Sequence, residues 1–255
     1  MNTFCLLGVR LTSLTVMELH DHIADAIHLG RHDLVLNVNI NAMNLAYENI
    51  WMRNLLNQAP IVFVDGYGVS LGARLMGHSV HERITYADWM WQLAEFAEQK
   101  QYSLYFLGAS PGIADAASIV LKEEFPRLQI VGTHHGYFNM ESESSENDAV
   151  IDEINNLHPN ILVLGFGMPL QERWLSANWH RIDANIALTG GAVFDYVSGQ
   201  LKRGPQFLTE YGFEWFARLL IEPRRLWRRY LIGNPIFFLR MLKQKFGLLH
   251  FDDLS

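Results

Sequence analysis

Short apolar runs of β-forming residues recur along the chain, and most end in glycine or aspartate before helical spacing takes over. Leu34–Leu36, Ile61–Val64, Leu104–Leu107, Leu128–Val131, Ile161–Leu164 and Ile186–Leu188 read as buried strands. Leu104-Tyr-Phe-Leu-Gly108-Ala-Ser-Pro-Gly112 leads into a predicted helix Ile113–Phe125. Ile161-Leu-Val-Leu-Gly165-Phe-Gly167-Met-Pro169 leads into another, Leu170–Trp179, and a third is expected over Ala42–Asn54. Strand, tight turn, helix is the βαβ unit. The fold class predicted is therefore α/β: a doubly wound, mainly parallel, Rossmann-like sheet. Ligands of such sheets gather at the carboxyl ends of the strands, where this chain places its glycines. Glu141–Asp148 is a polar tract that reads as a solvated loop and helix start. No internal repeat is visible.

The pattern changes near residue 204. Ten of the 20 Lys and Arg residues lie in 201–255, against five acids there, although the whole chain carries a formal charge of −7. Between Arg218 and Lys245, eight basic residues face one acid, Glu222. They alternate with Leu219, Leu220, Ile221, Leu226, Trp227, Leu231, Ile232, Phe237 and Phe238. An acidic body with a basic, aromatic, helix-prone tail suits docking on an anionic surface: a leaflet, a nucleic acid or a phosphorylated ligand. The expected division is an α/β catalytic domain over 1–204, able to fold alone, and a basic amphipathic helical appendage over 205–255. The alternative is a tail packed permanently on the body, because amphipathic helices usually cover cores.

Composition excludes several classes. Apolar residues at 49% support a sizeable core, and 18% charged residues are too few for a disordered chain. The single Cys5 excludes an intrachain disulfide and a Cys-based zinc site, and points to a reducing compartment. The first 22 residues lack the basic start and apolar run of a signal peptide. No stretch approaches the ~20 apolar residues of a spanning helix; the best, Leu231–Leu239, is short and holds Gly233, Asn234 and Pro235. The expected location is cytoplasmic, peripheral on a membrane face.

Candidate chemistry follows the strands. Asp65, in Val64-Asp-Gly-Tyr-Gly68-Val69, can act as a general base or simply cap a turn. Asn37, Asn39 and Asn41 alternate after a strand, so they point one way; they can bind sugar hydroxyls or phosphate, or serve as turn and N-cap residues. The turns at Gly108, Gly167 and Gly191 can offer backbone N–H groups to a diphosphate, with Asp195 in reach of the same edge. Gln171, Glu172 and Arg173 begin the next helix, facing the crevice or capping it. No metal site is expected: D-x-D and H-E-x-x-H are missing, and the 11 histidines have poor ligand spacing. No cofactor is expected either.

In this order the pieces resemble the WecG/TagA/CpsF glycosyltransferases, from about Phe4 to Gly247. The resemblance is carried by Val64-Asp-Gly-Tyr-Gly-Val69, Gly132-Thr-His-His-Gly136-Tyr137-Phe138, Gly165-Phe-Gly-Met-Pro-Leu-Gln-Glu172, Gly190-Gly-Ala-Val-Phe-Asp195, Lys202-Arg-Gly-Pro205 and Gly212-Phe-Glu-Trp-Phe-Ala-Arg218-Leu-Leu-Ile-Glu-Pro-Arg-Arg225. It implies inverting, metal-independent sugar transfer from a UDP-sugar donor to a polyprenyl-diphosphate-linked sugar acceptor at the inner membrane face. It places the catalytic aspartate on Asp65, binding residues on Asn39 and Gln171, and the tail arginines on Arg218, Arg225 and Arg228. Asn37 and Asn41 stand where many members have Thr and Glu, and Arg83-Ile-Thr-Tyr86-Ala-Asp88 where many have Arg-Val-x-Gly-x-Asp. These changes widen the expected donor from N-acetylmannosamine to its uronic acid, glucose or glucuronic acid.

The partners expected are the donor, the lipid-linked acceptor and an anionic membrane surface, with a homo-oligomer off the membrane left open. Nucleic acid is not expected, since a nucleic-acid stripe need not carry Phe237-Phe238 and Leu248-Leu249. Two other classes stay open on residues alone. A non-catalytic membrane adaptor would use only the tail. A dinucleotide-dependent oxidoreductase would need the G-x-G-x-x-G that this chain lacks.

Overall fold

A computed structural model of the chain describes residues 1–202 and 214–251. The strands are β1 (Asn2–Leu6), β2 (Val9–Ser13), β3 (Asp33–Val38), β4 (Ile61–Val64), β5 (Ser103–Gly108), β6 (Gln129–His134), β7 (Ile161–Gly165) and β8 (Ile186–Thr189). Their order in the sheet is β1-β2-β4-β3-β8-β7-β5-β6. β1 is antiparallel to β2, whereas β2–β4, β3–β8, β8–β7, β7–β5 and β5–β6 are parallel. The mainly parallel α/β fold expected from the apolar runs is what the chain adopts.

Contacts divide the chain into two compact units. The first holds residues 1–15, 37–85 and 202–255, and the second residues 16–36 and 86–201. β3 passes from the second unit into the first at its last two residues.

In the first unit, β1 and β2 form a hairpin that the apolar pattern does not announce. Leu7 and Gly8 both take positive φ, 47° and 78°, the two-residue turn whose twist matches a hairpin. Helices α2 (Ile40–Glu48) and α3 (Ile50–Gln58) replace the single helix expected over Ala42–Asn54, and α4 (Tyr67–Leu75) follows β4. The break falls at Asn49, which is extended (φ −124°, ψ 112°). Its backbone N–H and its side-chain Nδ2 both donate to Leu45 O, at 2.8 and 2.9 Å, and so close the last turn of α2.

The chain's last part also belongs to this unit. It comprises α10 (Glu214–Ile221), α11 (Pro223–Trp227), a π-helical turn (Arg228–Ile232) and α12 (Gly233–Lys245). Phe237 and Met241, one turn apart on α12, are fully buried, and so is Leu226 on α11. Gly72 lets the Phe237 ring lie against α4: a Cβ there would sit 2.9 Å from Phe237 Cζ. Asn44 Nδ2 donates to Gly233 O at 2.8 Å. Arg240 reaches Asn44 Oδ1 at 2.9 Å and Glu48 Oε1 at 2.7 Å, with its guanidinium 4.1 Å from the Tyr47 ring centroid. The Leu7 N–H donates to Gln244 Oε1 at 2.9 Å. α12 is therefore stitched to α2, α4 and the hairpin turn. Its opposite face carries Pro235, Leu239, Leu242 and Phe246, all exposed and at the spacing of one helical stripe.

In the second unit, α1 (Val16–His28), α5 (Tyr86–Lys100), α6 (Ile113–Glu124), α7 (Ser145–Leu157), α8 (Leu170–Asn178) and α9 (Val193–Val197) accompany the strands. Leu104–Leu107, Ile161–Leu164 and Ile186–Leu188 have no exposed surface, as parallel strands covered on both faces should not. α7 starts where the polar tract ends, capped by Ser144, whose Oγ accepts from Glu146 N. Trp89 Nε1 donates to His20 Nε2 at 3.0 Å, while the His20 ring stacks on Phe96 at 4.3 Å. Burial pushes the His20 imidazole down to about pH 4, with Asp21 opposing. Since indole can only donate, Nε2 carries no proton and the ring is neutral.

Candidate active site

In the first unit, Asp65 follows β4 directly. Its N–H donates to Val38 O at 2.9 Å, so the turn after β4 is pinned to the end of β3. Gly66 then takes φ 93°, ψ 158°, a region nearly closed to other residues, and starts α4. Asn37, buried on β3, donates from Nδ2 to Asp65 Oδ2 at 3.0 Å. A buried amide thus fixes the carboxylate that sequence reasoning singled out, and this pairing was not foreseen for Asn37. Asn39 behaves differently. Its Oδ1 accepts from Asn41 N at 3.0 Å and Ala42 N at 3.2 Å, making it the N-cap of α2. Arg83 lies half-buried in the segment between α4 and α5. Of the tail arginines, Arg225 pairs with Glu222 Oε1 at 2.8 Å, and the Arg228 guanidinium lies 5.2 Å from the Trp227 ring centroid. Both are exposed; the Arg218 side chain lies outside the described residues.

In the second unit, the loops after β5, β6, β7 and β8 gather at one edge, because these four strands are parallel. They are joined backbone to backbone. Ala109 N donates to Gly165 O at 2.9 Å, Gly136 N to Ala109 O at 2.9 Å, and Gly190 N to Leu164 O at 2.7 Å. Gly108 needs its glycine twice: φ is +148°, and a Cβ would sit 2.5 Å from the Gly165 backbone. Tyr137 stands out from this edge, 70% exposed, with Ser110 Oγ 3.5 Å from its hydroxyl. Asp195 is half-buried on α9, one turn beyond Gly191.

Gln171 ties two of these loops together. Its Oε1 accepts from Gly167 N and Gly191 N, each at 3.1 Å, and its Nε2 donates to Glu172 Oε1 at 2.9 Å. Gln171 is fully buried and Glu172 is 1% exposed. The crevice-facing ligand expected of Gln171 is, in this structure, a buried clip, and its two glycine N–H groups are already engaged. Burial raises the Glu172 carboxyl to about 7, against the lowering pull of the Gln171 and backbone hydrogen bonds. Glu172 Oε2 has no hydrogen-bond partner among the described residues. The sequence places Glu172 in the first turn of α8, facing the crevice or capping the helix; its burial has a local signal in Trp174 and Leu175, the apolar residues that follow it.

Among the described residues no group of three His, Cys, Asp or Glu side chains is arranged to hold a metal ion. No described helix is long and apolar enough to cross a membrane. The first unit offers an oriented carboxylate; the second offers a set of interlocked glycine loops.

Residues 4–250 match the Glycosyl transferase WecG/TagA/CpsF family. Among curated proteins, the chain is similar to the N-acetylglucosaminyldiphosphoundecaprenol N-acetyl-beta-D-mannosaminyltransferase of Staphylococcus aureus strain NCTC 8325 / PS 47, with 25% identity over 242 residues, covering 94% of this chain and 92% of the relative. The protein of the same name from strain MW2 matches to the same extent. With the match spanning both units and every loop described above, this chain belongs to the WecG/TagA/CpsF family and is a glycosyltransferase.

Proposed function

We propose that this enzyme transfers a sugar from a UDP-sugar to a polyprenyl-diphosphate-linked sugar, with inversion and without a metal, during assembly of a surface or extracellular polysaccharide. The observation that carries the reading is the Asn37–Asp65 pair, a carboxylate held by a buried amide at the end of β4. The acceptor hydroxyl attacks the anomeric carbon and forms the new C–O bond. The bond from that carbon to the β-phosphate oxygen breaks, UDP leaves with the electron pair, and Asp65 takes the hydroxyl proton. Charge on the departing diphosphate then falls to cationic and N–H donors; Arg225 and Arg228 are the exposed cations of the tail that suit it.

The names of the Staphylococcus aureus relatives support the acceptor class, a sugar on diphosphoundecaprenol, and make N-acetylmannosamine the first donor to try. Asn37 and Asn41 keep its uronic acid, glucose and glucuronic acid on the same list. A lipid-borne acceptor requires the enzyme to meet a membrane. The outer stripe of α12, flanked by Lys243 and Lys245, suits shallow insertion into an anionic inner leaflet, where each Lys or Arg contributes up to about 1 kcal/mol.

The test is Asp65→Asn, assayed by UDP release with a short-chain polyprenyl-diphosphate sugar. UDP binding should persist while turnover falls by about 10²–10⁴, the usual share of general-base catalysis. Turnover within threefold of wild type would remove Asp65 from the role.

A further inference from the structure

Among the described residues Glu172 Oε2 has no hydrogen-bond partner, an unfavourable choice for stability alone that calls for an explanation. The explanation here is what the other oxygen does. The Gln171 amide has two ends. Its carbonyl is occupied by the N–H groups of Gly167 and Gly191, which belong to the loops after β7 and β8. Its NH2 group faces Glu172 Oε1 at 2.9 Å. Both side chains are sealed from water, so no solvent molecule can replace Glu172 as acceptor. Without that acceptor, the buried NH2 group would lose its partner at a cost like that of leaving any buried donor unmade. The side chain would then relieve it by turning outward, and both glycine N–H groups would be released.

We propose that Glu172 is a positioning residue: by accepting from Gln171 it holds the amide in place as a two-loop clip and so sets the spacing of the Gly167 and Gly191 loops for the donor. This rests on the reading that these loops bind the donor diphosphate. The clip predicts a specific asymmetry. Loops held at the wrong spacing weaken donor binding before they affect the chemical step. The role is also one of hydrogen-bond acceptance, not charge: the carbonyl of a glutamine at 172 can accept from Gln171 as Glu172 Oε1 does.

The experiment compares the full-length wild type with Glu172→Met, which fills the volume without an acceptor, and Glu172→Gln, which restores one. Amide hydrogen exchange at Gly167 and Gly191 reads the clip without donor; titration with UDP reads the site. Glu172→Met should lose protection at both glycines and raise the donor KM and UDP Kd by about tenfold, the scale of one lost hydrogen bond, with kcat within threefold. Glu172→Gln should bring protection back and return KM to within about threefold of wild type. A merely structural role would lower the active fraction and hence apparent kcat, leaving KM in place, and would overturn the proposal. So would unchanged glycine exchange in Glu172→Met. If UDP fails to protect either loop in the wild type, the donor-loop reading itself falls, and the proposal with it, whatever Glu172→Met does.

Discussion

Phe237→Ala should destabilise the unit that holds Asp65 far more than it weakens binding to anionic liposomes. Phe237 has no exposed surface, and its ring lies against Gly72, which has no side chain to move into the space left behind. Poor collapse places the cost in the upper part of the range for such truncations, about 4 kcal/mol. With a urea slope near 3 kcal/mol/M, that lowers the unfolding midpoint by roughly 1 M. On the outer face of the same helix, Leu239 is 58% and Leu242 40% exposed. Replacing both with Ser should change stability by less than about 1 kcal/mol, while reducing sedimentation with anionic liposomes. Urea melts followed by tryptophan fluorescence and liposome co-sedimentation separate the two faces. Truncation after Gly204 removes Phe237, Met241 and Arg240 together, and should abolish the cooperative transition of this unit instead of leaving a folded body. A Phe237→Ala protein with an unchanged midpoint, or a Gly204 truncation that melts like wild type, would refute the packing argument.

Sugar transfer should survive EDTA, since neither the sequence nor the described residues offer a three-ligand cluster; full loss restored by Mg²⁺ or Mn²⁺ would reject the metal-free reading. Stability should depend on two opposed buried groups. His20, neutral in the fold with its pKa lowered to about 4, contributes stability present above about pH 6.5 and lost as pH falls toward 4. Glu172, raised to about 7, does the reverse: its contribution is present below about pH 4.5 and lost as pH rises through 7. The Glu172 effect is on the order of 3 kcal/mol, and the His20 effect is smaller because water screens that half-buried ring. Urea midpoints of Glu172→Gln should therefore climb more steeply than wild type between pH 4.5 and 6.5, and those of His20→Gln should decline; parallel profiles for all three proteins would show that these groups do not carry the dependence.

The parallel strands were legible because burial on both faces writes them as continuous apolar runs, as in Ile161–Leu164. The β1–β2 hairpin was not, since Leu7-Gly8 lacks the Asn-Gly signature and a buried leucine at φ 47° violates the usual turn preference. The split between α2 and α3 was hidden too: Asn49 makes the break locally, inside a stretch whose apolar spacing runs on. For the candidate site, position after a strand singles out Asp65 and the glycine loops. What those side chains do was less accessible. The sequence leaves Gln171 and Asn37 either facing a ligand or serving a turn or cap, and hydrogen-bond partners far along the chain, Gly191 and Asp65, decide where their amides point. Such pairings depend on sheet order, which no local pattern encodes.

The hairpin turn held by Gln244 has a consequence for biosynthesis. The unit that carries Asp65 is assembled from three separated segments, and its last contributions, Phe237 to Gln244, leave the ribosome only after the whole of the second unit. The other unit needs nothing beyond residue 201 and can form while synthesis continues. A nascent chain can therefore close its glycine loops before α12 is there to complete the unit that holds Asp65, and a polypeptide interrupted before α12 lacks Phe237 and Met241 from that unit's core. The Leu7–Gln244 bond joins residues 237 positions apart, a long-range contact that delays this unit further.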